Sequence, residues 1–186
     1  MKRNVLLIQP FRKPSLREIL VKKYPCVEII NCDALILGAV IEQAGYHVDF
    51  LSLQNIFKSY EDWQQEQLEG LLSEYRPDYV IFHTDYYIAF TSTAVFYSIK
   101  MITEYYKKKC NYTKFVLVGR NGLALREKIF DLDENIDVVM KGECENTIVS
   151  VLESLDSFEM DHIPGVIYKS DGKYIDNGGE GKEGRM

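Results

Sequence analysis

The sequence lacks a long apolar run at its start, and this absence excludes two classes of protein. The first ten residues, MKRNVLLIQP, contain only four consecutive apolar residues. A signal peptide needs about 7 to 15 such residues, and a membrane-spanning helix needs about 20. We therefore expect a cytoplasmic protein that is neither exported nor inserted in a membrane.

Paired cysteines and an excess of positive charge are also missing. The four cysteines, Cys26, Cys32, Cys110 and Cys144, form no CxxC pair, which predicts free thiols in a reducing compartment and no zinc site. Lys and Arg number 22 against 28 Asp and Glu, a formal net charge of −6. Because nucleic-acid binding needs clustered Lys and Arg, we expect no nucleic-acid partner.

The sequence does contain a regular alternation of strand and helix patterns in 186 residues, of which 46% are hydrophobic. That length is sufficient for a domain with a real core. Short apolar runs predict five strands, at residues 5–8, 47–53, 79–83, 115–118 and 137–140. Helical periodicity predicts a short helix at 16–24 and further helices ending near residues 44, 75, 109, 130 and 155. This alternation predicts a doubly wound, five-stranded parallel sheet of Rossmann-like or flavodoxin-like type.

The C-terminal part departs from this alternation. Two short strand patterns flank Asp171-Gly172, which predicts a β-hairpin over residues 165–175. The last stretch, NGGEGKEGRM, is glycine-rich and charged, as in a flexible tail or the start of a linker. We therefore expect an α/β domain at 1–160, a hairpin at 161–176 and a flexible tail at 177–186.

The junction after the fifth strand is the first candidate for a ligand site. Gly142, Glu143 and Glu145 lie between that strand and a helix, where open α/β sheets bind ligands. The free N–H groups of the helix suit an anion, or Glu145 acting as a cap. Equally, Gly142 only makes the turn and the two glutamates only cap the helix. Taken alone, the residues at this junction favour the second interpretation and leave the first open.

Six short motifs, taken in order, resemble those of one protein family. They are QP at 9–10, AGYHV at 44–48, PDYVI at 77–81, VLVG at 116–119, DVVMKGECENT at 137–147 and IPGVIY at 163–168. Together they are similar to the N-terminal cobalamin-binding domain of B12-type radical-SAM proteins, over about residues 4–176. The resemblance implies a module that binds a metal-containing corrinoid, cobalamin, over the carboxyl edge of the sheet.

The resemblance also implies which loops contact the cofactor and where catalysis resides. The cofactor-binding residues it implies are Phe11, Arg12, Thr84, Asp85, Tyr86, Gly119, Arg120, Asn121, Gly122, Gly142, Glu143 and Glu145. Residues 11–31 contain no histidine, so the cobalamin would be base-off without a histidine ligand from this loop. No CxxxCxxC motif is present, so no iron–sulfur cluster is expected in this chain. A radical-SAM domain or partner protein would supply catalysis, and this chain alone is not expected to be catalytic.

Two positions that are glycine in the family are Arg120 and Cys144 here. They favour an alternative in which the fold has lost the cofactor and acts as a protein-interaction or regulatory module. Arg120 fits a phosphate or propionamide group about as well as it fits an ion pair with Glu143 or Glu145. If two copies associate as a homodimer, we expect an exposed edge strand or the C-terminal hairpin to form the contact.

Two further observations weaken other functions. The segment GRNG at 119–122 is neither a Walker A nor a GxGxxG motif, which makes a nucleotide-binding protein a weak alternative. His83 closes the third strand on the ligand side, where a lone histidine is more typical of a local hydrogen bond than of a ligand contact.

Overall fold

The computed structural model describes residues 2–11, 32–56, 65–84, 95–157 and 159–179. The strands are β1 (Asn4–Gln9), β2 (His47–Ser52), β3 (Tyr79–His83), β4 (Lys114–Val118), β5 (Val138–Met140), β6 (Val166–Ser170) and β7 (Lys173–Asp176). The helices are α1 (Cys32–Gln43), α2 (Leu53–Ile56), α3 (Gln65–Leu72), α4 (Phe96–Lys109), α5 (Arg120–Leu125), α6 (Ile129–Leu132) and α7 (Ile148–Ser154). A 3-10 turn, Arg126–Lys128, separates α5 from α6.

The strands form one sheet in the order β2-β1-β3-β4-β5-β6-β7. The first five strands of the chain are parallel, which confirms the doubly wound α/β fold expected from the sequence. The strand order reverses beside β1, between β1 and β3, as in flavodoxin-like sheets. β6 and β7 then continue the sheet in antiparallel fashion beyond β5.

The two faces of the sheet carry separate hydrophobic clusters, because side chains alternate along a strand. On one face, Leu6, Ile8 and Phe82 pack with apolar residues of α3 and α4. On the other, Leu7 and Ile81 pack with apolar residues of α1 and α7. Helices therefore cover both faces, and this explains why the central strands are apolar almost without interruption.

Three boundaries differ from the sequence expectation. The sequence predicts a short helix over residues 123–130, whereas α5 begins at Arg120, because Gly119 adopts a φ of 101° and turns the chain directly into the helix. α7 begins at Ile148, after a turn in which the N–H groups of Thr147 and Ile148 donate to Cys144 O at 3.0 and 2.8 Å. β2 ends at Ser52, and α2 begins at the next residue. The helix expected at residues 16–24 lies outside the described residues.

The expected hairpin is present and joins the main sheet. Asp171 and Gly172 have φ angles of 50° and 74°, as a two-residue type I′ turn requires. Val166 and Ile167 of β6 are fully buried, so the hairpin shares the core with β5. Within the described ranges, no helix combines the length and apolarity needed to span a bilayer.

Candidate functional site

The carboxyl ends of four parallel strands meet along one edge of the sheet, and the predicted site residues follow these ends. Phe11 comes after β1, Thr84 after β3, Gly119 after β4 and Gly142 after β5. Ligands of open α/β sheets bind along this edge, near the point where the strand order reverses. Here that point lies between β1 and β3.

Two glycines bring the ends of β4 and β5 together. Gly119 and Gly142 form an isolated antiparallel β-bridge. Their φ angles of 101° and 73° lie in the left-handed region that glycine adopts without steric cost. Gly119 is buried and Gly142 is half-buried, and since neither has a side chain, a ligand at this part of the edge would meet main-chain groups.

Gly122 has a packing role at the same junction. A Cβ atom built on it would lie 2.1 Å from the carbonyl oxygen and 3.0 Å from the carbonyl carbon of Met140. Its own N–H donates to Gly119 O at 2.9 Å. No side chain fits at this position, and the first turn of α5 can therefore lie directly against the end of β5.

The end of β3 is fixed to the end of β4 by Thr84. This residue is 2% exposed, and both its N–H and its Oγ1 donate to Val118 O, at 3.0 and 2.7 Å. The hydroxyl is therefore engaged inside the protein. Asp85 and Tyr86, which follow it, lie outside the described residues.

Two more predicted contacts have buried side chains. Phe11 is 4% exposed and packs in the cluster under α4, and its carbonyl oxygen accepts a hydrogen bond from Ser98 Oγ at 2.8 Å. Asn121 is also 4% exposed. The ring of Phe11 is thus a core side chain, while Arg12 lies outside the described residues.

The charged members of the predicted set that the structure describes are more accessible than Phe11, Thr84 and Asn121. Arg120 and Glu143 are exposed, and Glu145 is half-buried. Thr147 rather than Glu145 occupies the N-cap position of α7, and its side chain makes no capping hydrogen bond. Since the Cys144 carbonyl takes two N–H groups at this turn, the helix start offers a ligand fewer donors than the sequence suggested.

An ion pair that includes a buried lysine stands beside the glycine junction. Lys141 is 4% exposed, and its Nζ donates to Asp176 at the end of β7. Arg126 pairs with the same carboxylate. Burial alone would raise the pKa of Asp176, but hydrogen bonds from Lys141, from the Gly178 N–H and from Arg126 outweigh it and lower the pKa. These bonds hold β7 and the 3-10 turn against the end of β5.

The structure also brings two residues to the edge that the predicted set omits, Gln9 and His83. They are 1% and 3% exposed and close β1 and β3. Ser52 Oγ donates to Gln9 Oε1 at 3.0 Å, whereas Gln9 Nε2 has no hydrogen-bond partner. The sequence signal that could have identified these two residues is a polar residue at the end of a strand that is otherwise apolar on both faces.

The groups at this edge are suited to binding a ligand. The edge consists of main-chain groups beside glycines, short polar side chains and a few accessible charges. Across the described ranges, no group of three or more His, Cys, Asp or Glu side chains is placed to hold a metal ion.

Comparison with known proteins gives similarity at the level of the fold. No family model and no curated protein matches the sequence. The radical S-adenosylmethionine methyltransferase TsrM from Kitasatospora setae, solved with cobalamin and a 4Fe-4S cluster bound, is 20% identical at a TM-score of 0.65, over 96% of this chain and 29% of that chain. TsrM with tryptophan substrate and the SAM analogue aza-SAM gives 17% identity and a TM-score of 0.68, over 97% and 31% of the two chains.

Part of a second enzyme is similar in fold. The cobalamin-dependent S-adenosylmethionine radical enzyme OxsB, solved with aqua-cobalamin and S-adenosylmethionine bound, is 14% identical at a TM-score of 0.66, over 96% of this chain and 22% of that chain. This chain therefore spans less than a third of the length of either enzyme.

Proposed function

We propose that this chain is a cobalamin-binding module that holds the corrinoid over the carboxyl edge of its sheet. The observation that carries the proposal is the meeting of Gly119 and Gly142 at that edge, beside the point where the strand order reverses. The shared fold supports the ligand class, because the TsrM and OxsB structures contain cobalamin.

The residues at the edge fit such a ligand. A corrinoid is a wide ring with amide side chains, so it needs open main chain and polar partners for amides. At the glycine bridge the ligand would meet main chain. The buried amide nitrogen of Gln9, which has no hydrogen-bond partner among the described residues, would be a polar partner for one amide. When bound, the corrinoid supplies the radical or group-transfer chemistry, and the protein binds and orients it. In this proposal the cobalamin is base-off, without a histidine from residues 11–31.

Several of the predicted contacts keep a role in this proposal. Gly119 and Gly142 would approach the ring with their main chain, and Arg120, Glu143 and Glu145 would meet polar groups at its rim. Arg12, Asp85 and Tyr86 are proposed to cover the ligand from loops outside the described residues.

The topology also favours a catalytic partner at the same edge. β7 is antiparallel to β6 and β6 to β5, so β7 ends at the carboxyl edge, where Asp176 meets Lys141. The chain beyond Asp176 is therefore directed toward the ligand side. A radical-SAM domain or partner protein joined there would face the corrinoid.

A second candidate function is a cofactor-free module of the same fold that binds a protein. One observation favours it: Phe11 packs in the core and the Thr84 hydroxyl donates to Val118 O, so these two predicted contacts are engaged inside the protein. In the first turn of α1, by contrast, Leu35 and Ile36 are 48% and 53% exposed. These two side chains would form part of the contact surface.

The test is a titration of the purified protein with hydroxocobalamin and methylcobalamin, followed by desalting and visible absorbance. We expect retained corrinoid with a base-off spectrum. Gly142→Asn should weaken binding about tenfold, the effect of losing roughly 1.4 kcal/mol, because its side chain would occupy the open main-chain surface. Asn is chosen because it tolerates positive φ better than most residues.

Gly172→Asn is the matched control. Gly172 also has a positive φ, 74°, and a Cβ atom there meets nothing within 4 Å. The control should leave corrinoid affinity unchanged. Protein that is folded by circular dichroism but retains no corrinoid would contradict the proposal and favour the protein-binding module.

A further inference from the structure

Gln9 is a buried polar residue whose hydrogen bonding is incomplete. Its side chain is 1% exposed, and its Oε1 accepts a hydrogen bond from Ser52 Oγ at 3.0 Å. Among the described residues, its Nε2 has no hydrogen-bond partner. Turning the amide by half a rotation would pair the nitrogen with Ser52 and leave the oxygen unpaired instead, so one polar atom lacks a partner in either orientation.

The unpaired nitrogen lies at the ligand edge. Gln9 is the last residue of β1, between Ser52 on β2 and the end of β3. The last registered pair of β1 and β3 is Ile8↔Phe82, so Gln9 comes opposite His83 one step further along the strands. Since the amide oxygen is held toward β2, the nitrogen points away from β2.

The other residues of β1 on the face of Gln9 are apolar. Side chains alternate along β1, so Gln9 shares its face with Leu7, which packs under α1 and α7. A buried N–H without a partner costs free energy, and an apolar side chain of the same size would avoid that cost. An unsatisfied buried group of this kind therefore needs an explanation.

We propose that Gln9 is a ligand-binding residue whose Nε2 donates a hydrogen bond to an acceptor oxygen of the molecule held at the carboxyl edge. This inference rests on the proposed function. For a corrinoid, the acceptor is either an amide carbonyl of a corrin side chain or a phosphate oxygen of the nucleotide tail.

A second buried polar atom provides a control on the same face. The hydroxyl group of Tyr79 also has no partner and is buried, but Tyr79 opens β3 at the opposite edge of the sheet. Tyr79→Phe removes this atom with little change in shape. This variant therefore tests how the removal of an unsatisfied polar atom far from the ligand edge changes stability and corrinoid binding.

The experiment compares wild type, Gln9→Met and Tyr79→Phe. Each protein is titrated with hydroxocobalamin and with dicyanocobinamide, which has the corrin amides but no nucleotide tail, and its thermal midpoint is measured without ligand. We expect Gln9→Met to bind hydroxocobalamin about tenfold more weakly, as for one lost hydrogen bond, and to be at least as stable as wild type. Tyr79→Phe should bind as wild type does.

The two ligands distinguish the acceptors. If Gln9→Met weakens both, the acceptor is a corrin side-chain amide; if it weakens only hydroxocobalamin, the acceptor is in the nucleotide tail. Wild type and Gln9→Met binding both ligands equally would overturn this inference and leave the proposed function standing. Wild type that binds neither ligand would overturn both. If Gln9→Met does not fold, Gln9→Leu replaces it with the same expectations.

Discussion

At the scale of single residues, the glycines after β4 and β5 have different roles. Gly119 and Gly142 form a bridge at the edge, where neither residue presents a side chain to a ligand. Gly122 contacts the carbonyl group of Met140, which belongs to the protein itself. Substitutions at these positions should therefore separate effects on ligand binding from effects on folding.

Gly122→Ala should destabilise the fold by about 3 kcal/mol, the upper part of the range for overpacked interiors. The added Cβ atom would lie 2.1 Å from Met140 O, and the main chain of β5 cannot move aside easily because it pairs with β4 and β6. The measurement is urea unfolding followed by circular dichroism.

Gly70→Ala is the comparison for this variant. Gly70 lies in α3, and a Cβ atom there meets nothing within 4 Å, so alanine should stabilise the protein by about 0.5–1 kcal/mol. Equal stability of Gly122→Ala and wild type would show that α5 is not held against β5 as described.

At the scale of elements, the C-terminal hairpin is held by charge as well as by strand pairing. Asp176 of β7 accepts hydrogen bonds from Lys141 after β5 and from Arg126 in the 3-10 turn. Lys141 is 4% exposed, and among the described residues its charge is compensated by this carboxylate.

Asp176→Asn should lower the free energy of unfolding by about 3 kcal/mol, because it leaves the Lys141 charge buried and uncompensated. Chemical denaturation at pH 7 measures this loss. The double variant Lys141→Met with Asp176→Asn should recover most of it, since no buried charge remains. A double variant as unstable as the single one would contradict this account.

The pH dependence of this stabilisation has a defined sign. The folded-state pKa of Asp176 is lowered, so its contribution is fully present above the unfolded pKa of about 3.9 and is lost as the pH falls toward the folded pKa. The stability difference between wild type and Asp176→Asn should therefore stay constant from about pH 7 to pH 5 and shrink below about pH 4. A difference that grows on acidification would exclude this ion pair as its source.

At the scale of the whole molecule, the sheet runs without a break from β2 to β7. The sequence suggested a division between an α/β domain at 1–160 and a hairpin at 161–176. In the structure β6 pairs with β5 over three residues, and its residues Val166 and Ile167 are fully buried.

A chain that ends at residue 160 should therefore lose cooperative unfolding and bind a hydrophobic dye, because removal of β6 exposes the core and an unpaired edge of β5. A chain that ends at residue 179 retains the described hairpin and should unfold like the full chain. Thermal unfolding followed by near-ultraviolet circular dichroism compares the two. A 1–160 chain that unfolds as cooperatively as the full chain would support two separate units.

The sequence by itself determined the strands of the sheet and the position of its carboxyl edge. Strands such as β3 are buried on both faces, so their continuous apolar runs predicted them without knowledge of the neighbouring strands. The hairpin followed from Asp171-Gly172, because the backbone angles of a two-residue turn depend on those residues alone. The carboxyl edge followed from the alternation of strands and helices, which requires a parallel sheet.

Only the tertiary structure decided which side chains at that edge face inward. Thr84 donates to Val118 O, and Ser98 donates to the carbonyl group of Phe11; each pair is far apart in the sequence. The close approach of Gly122 to Met140 and the unpaired amide of Gln9 likewise arise between segments that the sequence keeps apart. The periodicity of a segment reports its own burial pattern, whereas hydrogen bonds at strand ends depend on strand order and register, which local sequence does not encode.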